Sequence, residues 1–187
     1  MSDNKTQSLA KIVGNLEKFD DFVKNDQLLR LVNQEPPASI IEKHPIAPNV
    51  KYIPIGKIEM MLTQVFQNWY VEILKTGQLL NSVEVTVRLF YRHPITNEWL
   101  HQDGTGAVAI QVDKGKNASD LAAIKSNAIM LGLPAAKSFA IKDAAEHIGK
   151  LFGRDLNRKD SLAFVPSYDI EGAKEKIREK LDEDNKT

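Results

Sequence analysis

The sequence predicts an α+β domain: a three-stranded antiparallel β-meander packed by a long helix, a β-β-β-α core, with N-terminal helices and a C-terminal helical tail. Three observations predict it. Between Asn81 and His93, Val83, Val85, Val87, Leu89 and Tyr91 alternate with Glu84, Thr86, Arg88, Phe90 and Arg92, the period of a half-buried strand. Extended segments at Trp69 to Thr76 and Glu98 to Val112 flank it, joined through Gly77-Gln78 and Pro94-Ile95-Thr96-Asn97. These are turn-forming residues, and consecutive strands pair most simply as a meander. The third observation is the stretch from Pro134 to Gly153, an alanine-rich helix with two unlike faces. Ala140, Ala144, Ile148 and Leu151 line one stripe with Ile141, Ala145 and Phe152 beside it, while Lys142, Asp143, Glu146, His147, Lys150 and Arg154 gather opposite.

Small side chains on the buried stripe let this helix lie close against the sheet. Gly153 is expected to end it in the left-handed conformation, with Arg154 near the negative helix terminus. Ahead of the core, Met1 to Gln7 is polar and expected to fray. From Ser8 to Asn33 apolar residues recur at helical spacings, read as one or two helices with a break near Asp20 or Asn25. Glu35-Pro36-Pro37 stops that segment, and Pro45 and Pro48 extend an irregular connection to about Asn49. A short helix follows near Gly56 to Gln67, with Ile58, Met61, Leu62, Val65 and Phe66 at three- and four-residue steps. After the strands, Asp113 to Ser119 reads as a polar loop and Asp120 to Leu131 as a short helical run. Tyr168 to Lys186 is a charged helix with a thin apolar stripe. The resulting division is an arm and linker at 1–49, a core at 50–160 and a tail at 161–187.

Composition bounds the chemistry. A chain of 187 residues with 42% hydrophobic content can bury one good core. There is no cysteine, which excludes a disulfide framework and a thiolate metal site. No run has the length or apolarity to cross a bilayer, so no membrane partner is expected. Formal charge is zero, with 25 basic and 25 acidic residues, so nucleic-acid binding has to rest on local distribution. One segment is uneven: Lys137 to Lys159 holds six basic residues against three acidic ones.

The run Ala140-Ile141-Lys142-Asp143-Ala144-Ala145, then Gly149-Lys150-Leu151-Phe152-Gly153-Arg154 with Leu156-Asn157-Arg158, resembles the conserved helix of the Rad fifty-two family of single-strand annealing proteins. Val50-Lys51-Tyr52-Ile53, a basic residue at Lys57, an apolar helix and Asn68-Trp69 resemble that family's V-x-Y-I entry, its basic groove residue and its helix ending before a tryptophan. Asp103-Gly104-Thr105-Gly106 is similar to the acid-Gly-x-Gly turn closing the family's central hairpin. The three pieces come in family order and cover roughly residues 50 to 158.

The resemblance implies a protein of phage type, without enzyme activity, cofactor or metal, acting in the cytoplasm of a bacterial host. It implies a homo-oligomeric ring or filament that binds single-stranded DNA and passes through an annealed duplex intermediate. A host single-strand-binding protein is a further partner it admits. Lys57 and Lys150 match basic groove positions, and Arg154 and Arg158 follow in the basic tail of the motif. Where eukaryotic members carry a Lys-Arg pair, this chain has Glu146-His147. Arg88, Arg92 or Lys142 are the candidates to compensate, and Lys137 lies off the polar arc toward the alanine stripe. Among strand aromatics, Trp69 and Tyr91 read as core, whereas Phe90 shares its strand face with two arginines and is a candidate base-stacking ring. Two alternatives stay open: a single-strand binder that does not anneal, and a metal-dependent nuclease in which Glu59, Glu84, Asp103 and Asp113 converge beside Lys114.

Overall fold

The computed structural model describes residues 16–44, 47–117 and 120–160, together with 172, 175, 178, 179, 182 and 183. The elements run α1 (Leu16–Val32), β1 (Glu42–Lys43), β2 (Lys51–Tyr52), α2 (Ile55–Phe66), β3 (Trp69–Leu79), β4 (Ser82–Arg92), β5 (Trp99–Ala109) and α3 (Ala128–Glu146). Short 3-10 turns lie at Ala38–Ile40, Leu121–Ala123 and Lys150–Phe152. Gln34–Lys159 form one compact unit, so residues 34–49, read from sequence as linker, belong with the core and supply β1. α1 belongs to a second unit and is unbroken through Asp20 and Asn25, because buried Asp26 is held by Arg30 one turn on. The polar N-terminus and most of the expected tail lie outside the described residues.

The alternation in Ser82–Arg92 makes β4 the centre of an antiparallel β3-β4-β5 sheet. Val83, Val85, Val87, Leu89 and Tyr91 are all buried on one face. That face receives α3, which packs on β5 and β4, while α2 closes the end near Trp69. Ile58, Met61, Leu62 and Phe66 make the buried stripe of α2. The Phe66 ring sits 4.5 Å from Tyr91 and stacks on Phe152 at 6.1 Å. The β-β-β-α core is therefore the architecture of the chain.

The acid-Gly-x-Gly segment is not a hairpin turn. Asp103-Gly104-Thr105-Gly106 lies in the middle of β5, and both glycines are buried beneath α3. A Cβ on Gly104 would stand 2.3 Å from the Ala140 carbonyl oxygen, and one on Gly106 2.2 Å from that of Ala136. The glycines thus form a slot and the alanines of α3 form the ridge that enters it, so helix and strand backbones nearly touch. Thr105 N–H, on the outer edge of β5, donates to Asp143 Oδ2 at 2.9 Å. That side chain ties α3 to the strand edge and occupies a donor that edge pairing would use.

The turns also shift. β3 continues through Gly77, and the chain reverses at Leu80-Asn81, where Leu79 pairs with Ser82. Leu80 has φ 54 and is 88% exposed, a left-handed backbone that disfavours a branched side chain by about 1 kcal/mol. Leu80→Asn is expected to stabilise the domain by roughly that amount, since exposure means no burial is lost; an unchanged or lower melting temperature would show that the turn does not carry the strain.

α3 starts earlier than the proline suggests and ends before the glycine. It runs from Ala128, with Pro134 inside it. Ala128 and Gly132 are buried against the sheet, and that packing outweighs the missing proline donor. The expected helical run at Asp120 to Leu131 is instead a 3-10 turn, a bridge between Val112 and Ile124, and the first turn of α3. At the far end Arg154 donates from Nε to the Glu146 carbonyl at 2.8 Å and from its terminal nitrogen to that of His147. This guanidinium satisfies the closing carbonyls of the helix. Gly153, at φ 110, ends the following 3-10 turn rather than α3.

Candidate nucleic-acid interface

The basic residues singled out from sequence fall into three environments. The first surrounds the β1–β2 ribbon. Glu42 pairs with Tyr52 and Lys43 with Lys51 across the two strands, and Asn157 clamps the ribbon through Lys51, accepting from its N–H and donating to its carbonyl, each at 2.8 Å. Lys57, on α2, reaches Glu42 Oε1 at 2.8 Å and the Ser39 carbonyl at 3.3 Å. The Tyr52 hydroxyl meets the other Glu42 oxygen at 3.4 Å. Over the Tyr52 ring, 4.9 Å from its centre, stands the Lys142 ammonium, which also lies 5.5 Å from the Phe139 ring.

One string of contacts therefore joins Lys57, Glu42, Tyr52 and Lys142, residues drawn from both ends of the core. Burial pushes the Lys142 ammonium below the usual lysine range, opposed by the charge of Glu146. The Lys57 hydrogen bond holds the Glu42 carboxyl below the ordinary carboxylate range. Lys43 and Lys51 are both exposed, and placing like charges opposite each other on a ribbon is unfavourable unless an anion lies between or near them. Arg158 follows Asn157 at this end of the ribbon, exposed and paired with Asp155 at 3.0 Å.

The second environment is the sheet face turned away from α3. Arg88 grips Asp103 with two hydrogen bonds, 2.7 and 2.8 Å, and this holds the Asp103 carboxyl below its usual range. Arg92 is exposed on the same face and donates to the Asn97 carbonyl at 3.2 Å. Tyr70, Phe90, Trp99 and His101 share this face in register. Tyr91 is buried and Trp69 half-buried, its indole N–H donating to Thr63 Oγ1 at 2.9 Å.

The third environment is structural. The Lys150 side chain is 8% exposed and its ammonium lies 3.6 Å from Glu35 Oε1, while Arg154 caps α3. Lys137 belongs to none of the three and is exposed on α3. Among the described residues no three of the His, Asp and Glu side chains gather to hold a metal ion. Glu59 lies on α2, Glu84 is paired with Lys75 and Asp103 with Arg88. Among the described residues, too, no helix is long and apolar enough to cross a membrane.

Sequence reasoning named Lys57 and Lys142 singly but missed Lys43, Phe139 and the Tyr52 ring beneath Lys142. The alternation around Lys51-Tyr52 is two residues long, too short to announce a ribbon. Trp99 was also missed, because a tryptophan at the start of a glycine-containing strand carries no signal of which face it takes. No protein-family model matches the chain, and no curated protein matches it.

Proposed function

We propose that this protein binds single-stranded DNA as a ring or filament of identical subunits and promotes annealing of complementary strands without nucleotide hydrolysis. The supporting observation is the convergence of the three family-like segments. The Gly104–Gly106 slot takes the alanine ridge of α3, Asn157 clamps Lys51, and Phe152 stacks on Phe66 of the helix that carries Lys57. Segments far apart in sequence make one packed unit, with Lys57, Lys142, Lys43, Lys51 and Arg158 displayed around its ribbon.

Clustered cations suit a phosphate backbone, and gripping a strand by its backbone leaves base edges free to sample a second strand. Only complementarity then makes an encounter persist. Oligomerisation multiplies a few contacts per subunit into a continuous track. Exposed apolar side chains on β3 and α3, among them Ile73, Leu74, Ile129 and Met130, offer the area that assembly would cover.

The test is annealing of labelled complementary strands without ATP, with light scattering for assembly in the presence and absence of the strand. Lys57→Ala is expected to weaken single-strand binding and to make the salt slope shallower by about 0.7 for each phosphate no longer neutralised. Glu42→Gln should act in the opposite direction, since it removes the carboxylate that competes with phosphate for the Lys57 ammonium. Glu42→Gln breaks an exposed ion pair, and Lys57→Ala breaks that pair together with the bond to the Ser39 carbonyl; exposed pairs contribute little to stability, so the fold should persist. Protection of the strand without faster pairing would favour the non-annealing binder, and metal-dependent cutting would favour the nuclease. A monomer that ignores single-stranded DNA would refute the proposal.

A further inference from the structure

The sheet face opposite α3 carries a continuous set of rings. Tyr70 on β3, Phe90 on β4 and His101 on β5 lie side by side in register, and one row further Arg92 faces Trp99. Tyr70 and Phe90 stack at 4.7 Å, only 10° from parallel. The Trp99 ring stands edge-on to Tyr70 at 5.3 Å, and His101 lies 5.6 Å from Phe90. Tyr70 is 43% and Trp99 50% exposed. A contiguous exposed patch of this kind marks a binding surface.

The side chains present select the occupant. These two rows hold no aliphatic group and no carboxylate; besides the rings they hold Arg92 and the His101 imidazole. Acids appear only one row further, where Glu72 and Asp103 flank Arg88 and Asp103 is taken by that guanidinium. Protein interfaces also enrich aromatics and arginine, but together with methionine and around a more apolar buried centre. This one offers π faces and positive charge, which match the flat face of a base and the phosphate beside it. Tyr70 stands on the edge strand of the described sheet, so among the described residues no further strand flanks the Tyr70–Phe90 stack on that side, and a base can extend it.

We infer that this face is a stacking platform for the bases of a single strand, with Tyr70, Phe90 and Trp99 as the rings and Arg92 as the phosphate contact. The inference rests on the reading of the protein as a single-strand binder and adds to it a second surface, on the side of the sheet away from α3 and Lys142. Stacking of this type tolerates any sequence, since every base has a π face. It therefore serves a protein that must hold strands of arbitrary sequence.

The experiment compares oligo(dT) with an abasic strand of equal length on the full chain, by fluorescence anisotropy. The two probes carry the same phosphates and differ only in bases. Tyr70→Leu and Trp99→Leu are each expected to lower affinity for oligo(dT) about 5- to 100-fold while leaving the abasic strand unaffected. Tyr70→Phe should bind as the wild type does. Thermal melting establishes that the variants fold, and Trp99→Leu, at an exposed strand end, decides the matter if Tyr70→Leu does not. Leucine variants that bind oligo(dT) normally would overturn the platform while leaving the single-strand reading standing, and the face would then suit an apolar partner. Equal losses on both probes would overturn it too. A wild type that binds neither probe would remove the single-strand reading itself, and this inference with it.

Discussion

Replacing Gly104 or Gly106 by alanine is expected to destabilise this protein by about 3 kcal/mol or more, a larger penalty than overpacking a core usually brings. The reason is what the new methyl group would meet. At Gly104 it would lie 2.3 Å from the Ala140 oxygen and 2.4 Å from the Ala144 nitrogen; at Gly106, 2.2 Å from the Ala136 oxygen and 2.5 Å from the Ala140 nitrogen. These are backbone atoms of α3, so no rotamer change relieves the contact and the helix itself has to lift from β5. Lifting it opens the interface that buries Ala136, Ala140 and Ala144. Trimming the ridge with Ala140→Gly should not rescue either variant, because the obstructing atoms would remain. Gly56→Ala is the control, since among the described residues no atom lies within 4 Å of the added Cβ and alanine favours a helix. Chemical denaturation measures all four. Near-wild-type stability of Gly106→Ala, or rescue by Ala140→Gly, would mean that strand and helix are not in backbone contact.

That slot also shows which parts of the structure were legible beforehand. The period-two alternation in β4 and the alanine stripe in α3 are repeating signals, and repetition is what a sequence conveys well. The β-β-β-α order followed from them. A glycine pair, by contrast, has two local meanings. Glycine serves a turn by adopting positive φ or serves packing by lacking a Cβ, and the letters do not distinguish these. Among the described residues the positive-φ glycines are Gly115 and Gly153, not Gly104 or Gly106, so space and not conformation explains the pair. Pro134 misled in the same way: read as the start of the helix, it lies inside it, a local boundary signal outweighed by burial of Ala128 and Gly132.

The candidate site was legible in part for a related reason. Lys57 and Lys142 could be named singly, but their connection through Glu42 and Tyr52 depends on a two-stranded ribbon closed by Asn157, a contact over 106 residues. No local pattern encodes such a distance. Lys150 illustrates the opposite failure. A helical wheel carried through to Gly153 puts it on the polar arc beside Glu146 and His147. The chain leaves the α-helix at Glu146, however, and the wheel's phase is lost there. Gly149 is fully extended, and the 3-10 turn that follows directs Lys150 inward.

Lys150→Ala is accordingly expected to lower stability by about 2 kcal/mol or more, through reduced packing of the buried stem together with removal of the Glu35 pair. Lys150→Met separates the two contributions. Methionine keeps the stem and removes the charge, and exchange of a buried ionic group for an apolar one of similar volume is often neutral or stabilising. Folded Lys150→Met protein should then bind single-stranded DNA with the wild-type salt slope, because an ammonium that is turned inward and held 3.6 Å from Glu35 neutralises no phosphate. Lys57→Ala, measured beside it, should show a shallower slope. The family resemblance points the other way, to Lys150 as a groove residue, so the two lysines put burial and motif in direct competition. If Lys150→Met keeps its melting temperature but its salt slope falls by about 0.7 per phosphate, the side chain must swing out of its pocket to meet DNA. The turn at Lys150–Phe152 would then be a part of the protein that moves on binding.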